Sequence, residues 1–282
     1  MKNKLTTILL IAALVAGLSL LLYPSVSDYW NSLHASRAVA SYDEEVRHLD
    51  AGRYDALLQS ARDYNRALSE RGSLFSLTDA QREEYGTQLS IDDSGIMGYI
   101  EIPTIKLSLP IYHGTSDDVL QVAVGHLEWS SLPVGGASTH CVLSGHRGLP
   151  SAKLFTNLDQ LTTGNEFVIR TLDEVLTYEV DRILIVEPGE VQSLAIEEGQ
   201  DLCTLVTCTP YGVNSHRMLV RGHRVDNRSE AIRLTADAIR IEPLLVAPAA
   251  ALPLLLALLL LLLSAPKKKK PSDEGDLHDL DP

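Results

Sequence analysis

Three residues of this sequence have the types and spacing that thiol chemistry needs. Cys208 closes the apolar run Leu205-Val206-Thr207-Cys208 and is followed at once by the turn-forming Thr209-Pro210-Tyr211-Gly212, so its thiol sits at the mouth of a strand. The thiolate is the reactive form, and a free cysteine titrates near ~8.5, so a nucleophilic cysteine needs a base or a cation beside it. His146 is the first candidate. It stands in Ser144-Gly145-His146-Arg147-Gly148, where glycines allow close backbone approach. Arg217 lies nine residues after Cys208, at the start of the run Met218 to Val220. A hairpin through 209–216 would return its guanidinium beside the thiol, where it could stabilise an oxyanion.

Each residue also has a plainer reading. Free cysteine is mostly buried and inert, and Cys203 and Cys141, both inside strand-like runs, fit that description better than Cys208. His113 in Tyr112-His113-Gly114 and His126 in Gly125-His126-Leu127 have flanks like those of His146. An arginine on an edge strand needs no catalytic role. Zinc fits poorly, because no Cys-x-x-Cys or His-Glu-x-x-His spacing occurs, and neither a metal nor another cofactor is expected.

The elements that must position these residues are mainly β. Short runs rich in Ile, Val, Tyr and Leu, bounded by Gly, Pro and Asp, predict strands over 97–102, 108–112, 139–144, 166–171, 175–186, 202–207 and 217–225. Seven or more such runs suggest a barrel or a sandwich. The pattern loosens between Ser116 and Pro133, and Ala152 to Leu161 could form a short helix. Ahead of the strands, Val39, Tyr42, Val46 and Leu49, then Tyr54, Leu57, Leu58, Ala61, Tyr64 and Leu68, recur at helical spacing. They predict two helices broken near Asp50-Ala51-Gly52.

Composition and charge place this domain. Among 282 residues, 37 are Asp or Glu and 24 are Lys or Arg, a net charge of −13 that argues against a nucleic-acid partner. Two stretches, Leu5 to Tyr23 and Leu244 to Ala265, contain no charged residue and are long enough to cross a bilayer. The first follows Lys2 and Lys4 and runs into bulky Tyr23-Pro24, which favours an uncleaved anchor over a signal peptide. The second ends at Lys267 to Lys270, and such basic flanks stay on the cytoplasmic side. Both termini are therefore expected in the cytoplasm, with the segment between the spans outside. That compartment is oxidising, and three cysteines cannot pair completely. Cys203 and Cys208 have opposite parity on one strand and face opposite sides, so at least one free thiol is expected.

Taken together, the blocks Met97-Gly98-Tyr99-Ile100-Glu101-Ile102-Pro103, Leu109-Pro110-Ile111-Tyr112-His113-Gly114-Thr115, Gly125-His126-Leu127, Ser144-Gly145-His146-Arg147-Gly148-Leu149-Pro150 and the run from Thr204 through Cys208-Thr209-Pro210-Tyr211-Gly212 to Arg217 resemble the class C, or pilin-polymerising, sortases of Gram-positive bacteria. The resemblance covers nearly the whole segment between the two spans. It implies a sortase-type eight-stranded β-barrel with an N-terminal helical appendage and two flanking transmembrane helices. The divisions are then an N-terminal anchor or signal segment over 1–24, the appendage and a degenerate lid region over 25–95, the barrel over 96–228, a linker over 229–243, a transmembrane helix over 244–266 and a cytoplasmic tail over 267–282.

The same resemblance implies that Cys208, His146 and Arg217 form the catalytic set and that Thr207 and Leu205 contact substrate. The implied activity is cleavage of a Leu-Pro-x-Thr-Gly-like sorting signal and transfer of the acyl group to a Lys of a pilin subunit, without a cofactor. The implied partners are pilin subunits bearing that signal and the cell membrane. A housekeeping sortase acting on peptidoglycan, a hydrolase and a non-catalytic adaptor that binds sorting signals are the alternatives. One departure stands out. The family usually carries an Asp-Pro-Phe or Asp-Pro-Trp lid ahead of the barrel, yet the only Asp-Pro here is Asp281-Pro282. Phe75 is the remaining candidate for a lid aromatic, in a segment expected to be mobile or drawn away from the site.

Overall fold

The computed structural model describes residues 2–72 and 75–227. The linker, second transmembrane helix and cytoplasmic tail expected from the sequence lie outside the described residues. At the N-terminal end, the helix α1 (Lys2–His48) runs unbroken through the boundary expected at 24/25, with Pro24 inside it. Pro24 forgoes one backbone hydrogen bond there. The first part of α1 is long and apolar enough to cross a membrane and is not buried against the rest of the protein; Leu9, Leu10, Leu20 and Leu21 are all exposed.

Farther along, α1 changes character. Ala35, Val39, Tyr42 and Val46 are buried, a stripe at steps of four, three and four that lays one face of the helix on the β domain. Tyr42 fastens it, its hydroxyl donating to the Met97 carbonyl (3.0 Å) and accepting from the Leu172 amide (2.8 Å). The expected break follows. Asp50 caps α2 (Ala51–Arg71), its carboxylate accepting from the Arg53 amide. This helix buries Leu58, Ala61, Tyr64 and Leu68. A third helix, α3 (Asp79–Thr87), was not expected from the sequence. It starts on a reciprocal capping box between Thr78 and Gln81 and buries only Tyr85, too few apolar positions to show a helical period.

Eight strands follow: β1 (Ile96–Ile102), β2 (Leu107–His113), β3 (Val124–His126), β4 (Thr139–Ser144), β5 (Glu166–Thr171), β6 (Glu174–Val186), β7 (Asp201–Thr209) and β8 (His216–Val225). They close into a barrel in the order β1-β2-β3-β4-β7-β8-β6-β5, with β5 pairing back onto β1. Seven correspond to the expected runs. The eighth, β3, is three residues long, shorter than any alternation can reveal. Residues 152–161 do not form the helix considered for them: Leu154 takes a positive φ of 38°, and only Leu158–Gln160 makes a single helical turn.

Two pairings are parallel, β2 with β3 and β4 with β7. A parallel pair cannot be joined by a tight turn, so the chain between β4 and β7 must cross over, and it does so by way of β5 and β6. Alternate residues of each strand fill the barrel, among them Ile100, Leu143, Phe167, Leu205 and Val220. A smaller cluster lies outside this core, where Val142, Val206 and Leu219 pack with Leu194 and are flanked by Leu127, Trp129, Leu184 and Val186.

Candidate active site

The register of β7 and β8 decides the site. Cys208 is directly opposite Arg217 in the antiparallel ladder, as the nine-residue spacing requires of a hairpin turning through 210–215. On the other flank β4 runs parallel to β7, with Ser144 opposite Val206. The ladder stops there; the same register extended two residues past the end of β4 would set His146 level with Cys208. Cys208, His146 and Arg217 are each partly exposed, whereas the other two thiols are buried.

The backbone around His146 is fastened to both neighbours of Cys208. The Gly145 amide donates to the Val206 carbonyl (3.1 Å), and the Thr207 hydroxyl donates to the Gly145 carbonyl (2.8 Å). On the far side the Arg147 guanidinium donates to the Thr209 hydroxyl (3.3 Å) and pairs with Asp159. His146 is thus held between two side-chain bonds that end on the residues before and after the thiol. Its own carbonyl accepts from the Phe155 amide (3.1 Å). A Cβ at Gly145 would come within 2.7 Å of the Phe155 ring, so glycine is needed there for the close approach that the sequence suggested.

Thr207 and Leu205 are placed differently from expectation. Both are buried on the inward face of β7, and the Thr207 hydroxyl is committed to Gly145, so they support the site from beneath and present no surface to a substrate. The reason is parity: only even-numbered positions of this part of β7 face outward with Cys208. The outward neighbours are Val206 and, across the ladders, Val142 and Leu219. They are buried in the small cluster under Leu194, Leu127 and Trp129, which backs the Cys208 row.

The guanidinium of Arg217 donates to the Asn214 carbonyl (3.2 Å) and the His216 carbonyl (3.1 Å). Neither partner is a carboxylate, which leaves its positive charge uncompensated by them. Phe75 packs edge-on against Trp129, with ring centroids 5.2 Å apart and an interplanar angle of 86°. Trp129 in turn packs against that buried cluster. His113 and His126, the weaker candidates, belong elsewhere. His126 is fully buried between Tyr85 and the Ser131 carbonyl, and both ring nitrogens of His113 face backbone carbonyls.

Comparison with known proteins follows the same lines. Residues 100–225 match the sortase domain. Sortase D of Bacillus subtilis is 30% identical over 131 residues, a match spanning 45% of this chain and 63% of that protein. Among solved structures, sortase C1 from Streptococcus agalactiae is 51% identical with a TM-score of 0.67, covering 68% of this chain and all of that one. A sortase C from Clostridium perfringens, solved with the C-terminal cell wall sorting motif, is 41% identical with a TM-score of 0.60, over 68% of this chain and 99% of that one.

Proposed function

This chain belongs to the sortase family, a family of cysteine transpeptidases whose class C members are its structural neighbours, and from that premise we propose that it polymerises pili from a membrane-tethered position. Cys208 attacks the Thr-Gly carbonyl of a Leu-Pro-x-Thr-Gly-like sorting signal. Arg217 holds the tetrahedral oxyanion, which a planar guanidinium with fixed donors does better than water. His146 protonates the leaving amine, and the acyl group remains on sulfur as a thioester. A Lys amine of the next pilin subunit then attacks, losing its proton to His146, and an isopeptide bond forms as the thiol departs.

The observation that best supports this reading is the pairing of Cys208 with Arg217, together with the two-sided fastening of the loop that carries His146. In this reading α1 anchors the enzyme, the barrel lies outside the cell and both termini are cytoplasmic.

The test is incubation of the full-length protein with purified pilin subunits carrying the signal, followed by mass spectrometry of the products. Ladders of Lys-linked multimers are expected. Free acid as the sole product, with acceptor pilin in excess, would instead make the enzyme a hydrolase.

A further inference from the structure

The barrel interior holds two thiols that transpeptidation leaves unused. Cys141 on β4 and Cys203 on β7 are direct partners in the parallel ladder. They are 2% and 0% exposed. Neighbouring strands lie about 4.7–4.9 Å apart, and directly paired residues leave a parallel sheet on the same face, which falls inside the Cα separation of about 4.4–6.8 Å that a disulfide spans. His126, the nearby ring, is held by the Tyr85 hydroxyl (3.0 Å) and the Ser131 carbonyl (2.8 Å). Burial works against charge on either sulfur, and it pushes Cys203 well above an ordinary thiol, while the neighbouring Cys203 and His126 draw Cys141 below one. Cys208, facing outward from the same strand as Cys203, is out of reach of both.

We propose that Cys141 and Cys203 are a disulfide-forming pair, oxidised while the domain folds and then sealed in the core, so that Cys208 is the single free thiol of the finished enzyme. The oxidant is an exogenous disulfide, such as oxidised glutathione or the active-site disulfide of an extracellular thiol oxidoreductase. The Cys141 thiolate attacks one sulfur of that reagent and expels the other as a thiolate, leaving a mixed disulfide. Cys203 then attacks the Cys141 sulfur and expels the second thiolate. The two protons lost by the protein end on the two reagent thiols, and the two electrons reduce the reagent. The bond would join the two strands that carry His146 and Cys208, and it would remove both competitors for the catalytic sulfur. The compartment rests on the ectodomain topology proposed above; the pairing geometry does not.

The test reads thiols directly, so its outcome is separate from that of any activity assay. Full-length protein is taken from cells by acid quench, denatured and treated with a maleimide before and after reduction. One adduct per chain is expected before reduction and three after, with a Cys141–Cys203 linked peptide in the unreduced digest. The Cys208→Ala protein should show none before reduction and two after. Three adducts in unreduced wild-type protein, or any linkage that includes Cys208, would overturn the proposal. Refolding the reduced full chain with oxidised glutathione should also close the pair, and Cys141→Ser should leave two free thiols. If that variant does not fold, the wild-type and Cys208→Ala counts still decide.

Discussion

Cys203 and Cys208 stand on the same strand, yet β7 sends them to opposite sides of the barrel wall. Cys203 is fully buried and paired with Cys141, whereas Cys208 sits where the ladder ends, partly exposed and opposite a guanidinium. At the other end of the β4–β7 seam, on the outward face but covered, lies a buried His140, whose Nδ1 is 2.8 Å from the Ala195 carbonyl and Nε2 2.7 Å from the Thr204 hydroxyl. The outer end carries His146 with no such partners on its ring among the described residues. One residue type thus takes two roles by parity and depth alone. The inner end should govern stability, and the outer end should govern rate.

The strongest way to break this division is at the two sulfurs. Cys208→Ala should abolish both thioester formation and ligation, while Cys203→Ala should keep the chemistry and lose about 2–5 kcal/mol of stability with the proposed Cys141–Cys203 bond. Trapping with a sorting-signal peptide, followed by intact mass, reads the first; urea denaturation reads the second. Thioester formed by the Cys208→Ala protein would refute the assignment.

Arg217→Lys comes next. Lysine keeps the charge but not the planar fork, and loss of one oxyanion donor typically costs about 100- to 1,000-fold in rate. The expected loss is in kcat, at unchanged thermal stability, because Arg217 is partly exposed and its bonds go only to local carbonyls. A loss of less than threefold would move the oxyanion site elsewhere.

Much of this outer end was legible in the sequence. The apolar run ending at Cys208, the turn after it and the return of Arg217 are all local features, and a hairpin converts their spacing directly into pairing. His146 was singled out by its bracketing glycines but was harder to place, because the strand leading to it meets β7 through a parallel pairing across about sixty intervening residues, which periodicity does not encode. The resemblance added its role. Parity also exposes the error at Thr207 and Leu205: alternation along β7 already separates them from Cys208, but the substrate role given to them ignored it. The short β3, the capped helix α3 and the unbroken α1 were hidden for other reasons, namely three residues, one buried apolar side chain and a proline that the helix absorbs.

The two bonds that fasten the His146 loop sharpen the comparison, because they reach from inner support to outer rate. Arg147 is nearly buried, bonded to Thr209 and paired with Asp159, while its Nε has no partner. Arg147→Ala should lower kcat about 10- to 100-fold with little change in KM, since a displacement of about 1 Å at a reacting group costs on that order. Thr207→Val, which removes only the hydroxyl bonded to Gly145, should act in the same direction and less strongly. Steady-state kinetics with a fluorogenic sorting-signal peptide separates kcat from KM. A pure rise in KM would make these residues part of the substrate groove.

For the two buried histidines that serve the fold, the expected signature is a pH-dependent stability. Burial holds the pKa of His140 below its ordinary value near 6.5, and His113 is lowered for the same reason. The unfolded chain therefore binds protons that the folded one refuses as the pH drops below about 6.5. Stability should be full above that value and decline from there toward the lowered folded pKa. Urea midpoints measured between pH 7.5 and pH 5 should fall, and His140→Gln should flatten the decline. A midpoint that rises on acidification would have the opposite sign and would mean that these rings are charged in the fold.

The smallest expected effect concerns Phe75, the one aromatic left in the lid region. An Asp-Pro would fix the backbone of that segment and offer a carboxylate to Arg217, but the sequence has neither there, and the hydrogen bonds of Arg217 end on the Asn214 and His216 carbonyls. What remains is the edge-on contact of Phe75 with Trp129, and such ring pairs are worth about 0.5–1.5 kcal/mol beyond the area they bury. A closed state favoured by only about 1.4 kcal/mol still leaves roughly a tenth of the molecules open at any moment. Cys208 should therefore be readily alkylated in the resting enzyme, and Phe75→Ala should raise the rate by no more than about tenfold. Trp129→Ala should give the same small change, since each variant removes one half of the same contact. Slow alkylation of the intact protein that rises steeply in the Phe75→Ala variant would show instead that this ring is a working lid, and that access to the outer thiol is controlled from the helical appendage.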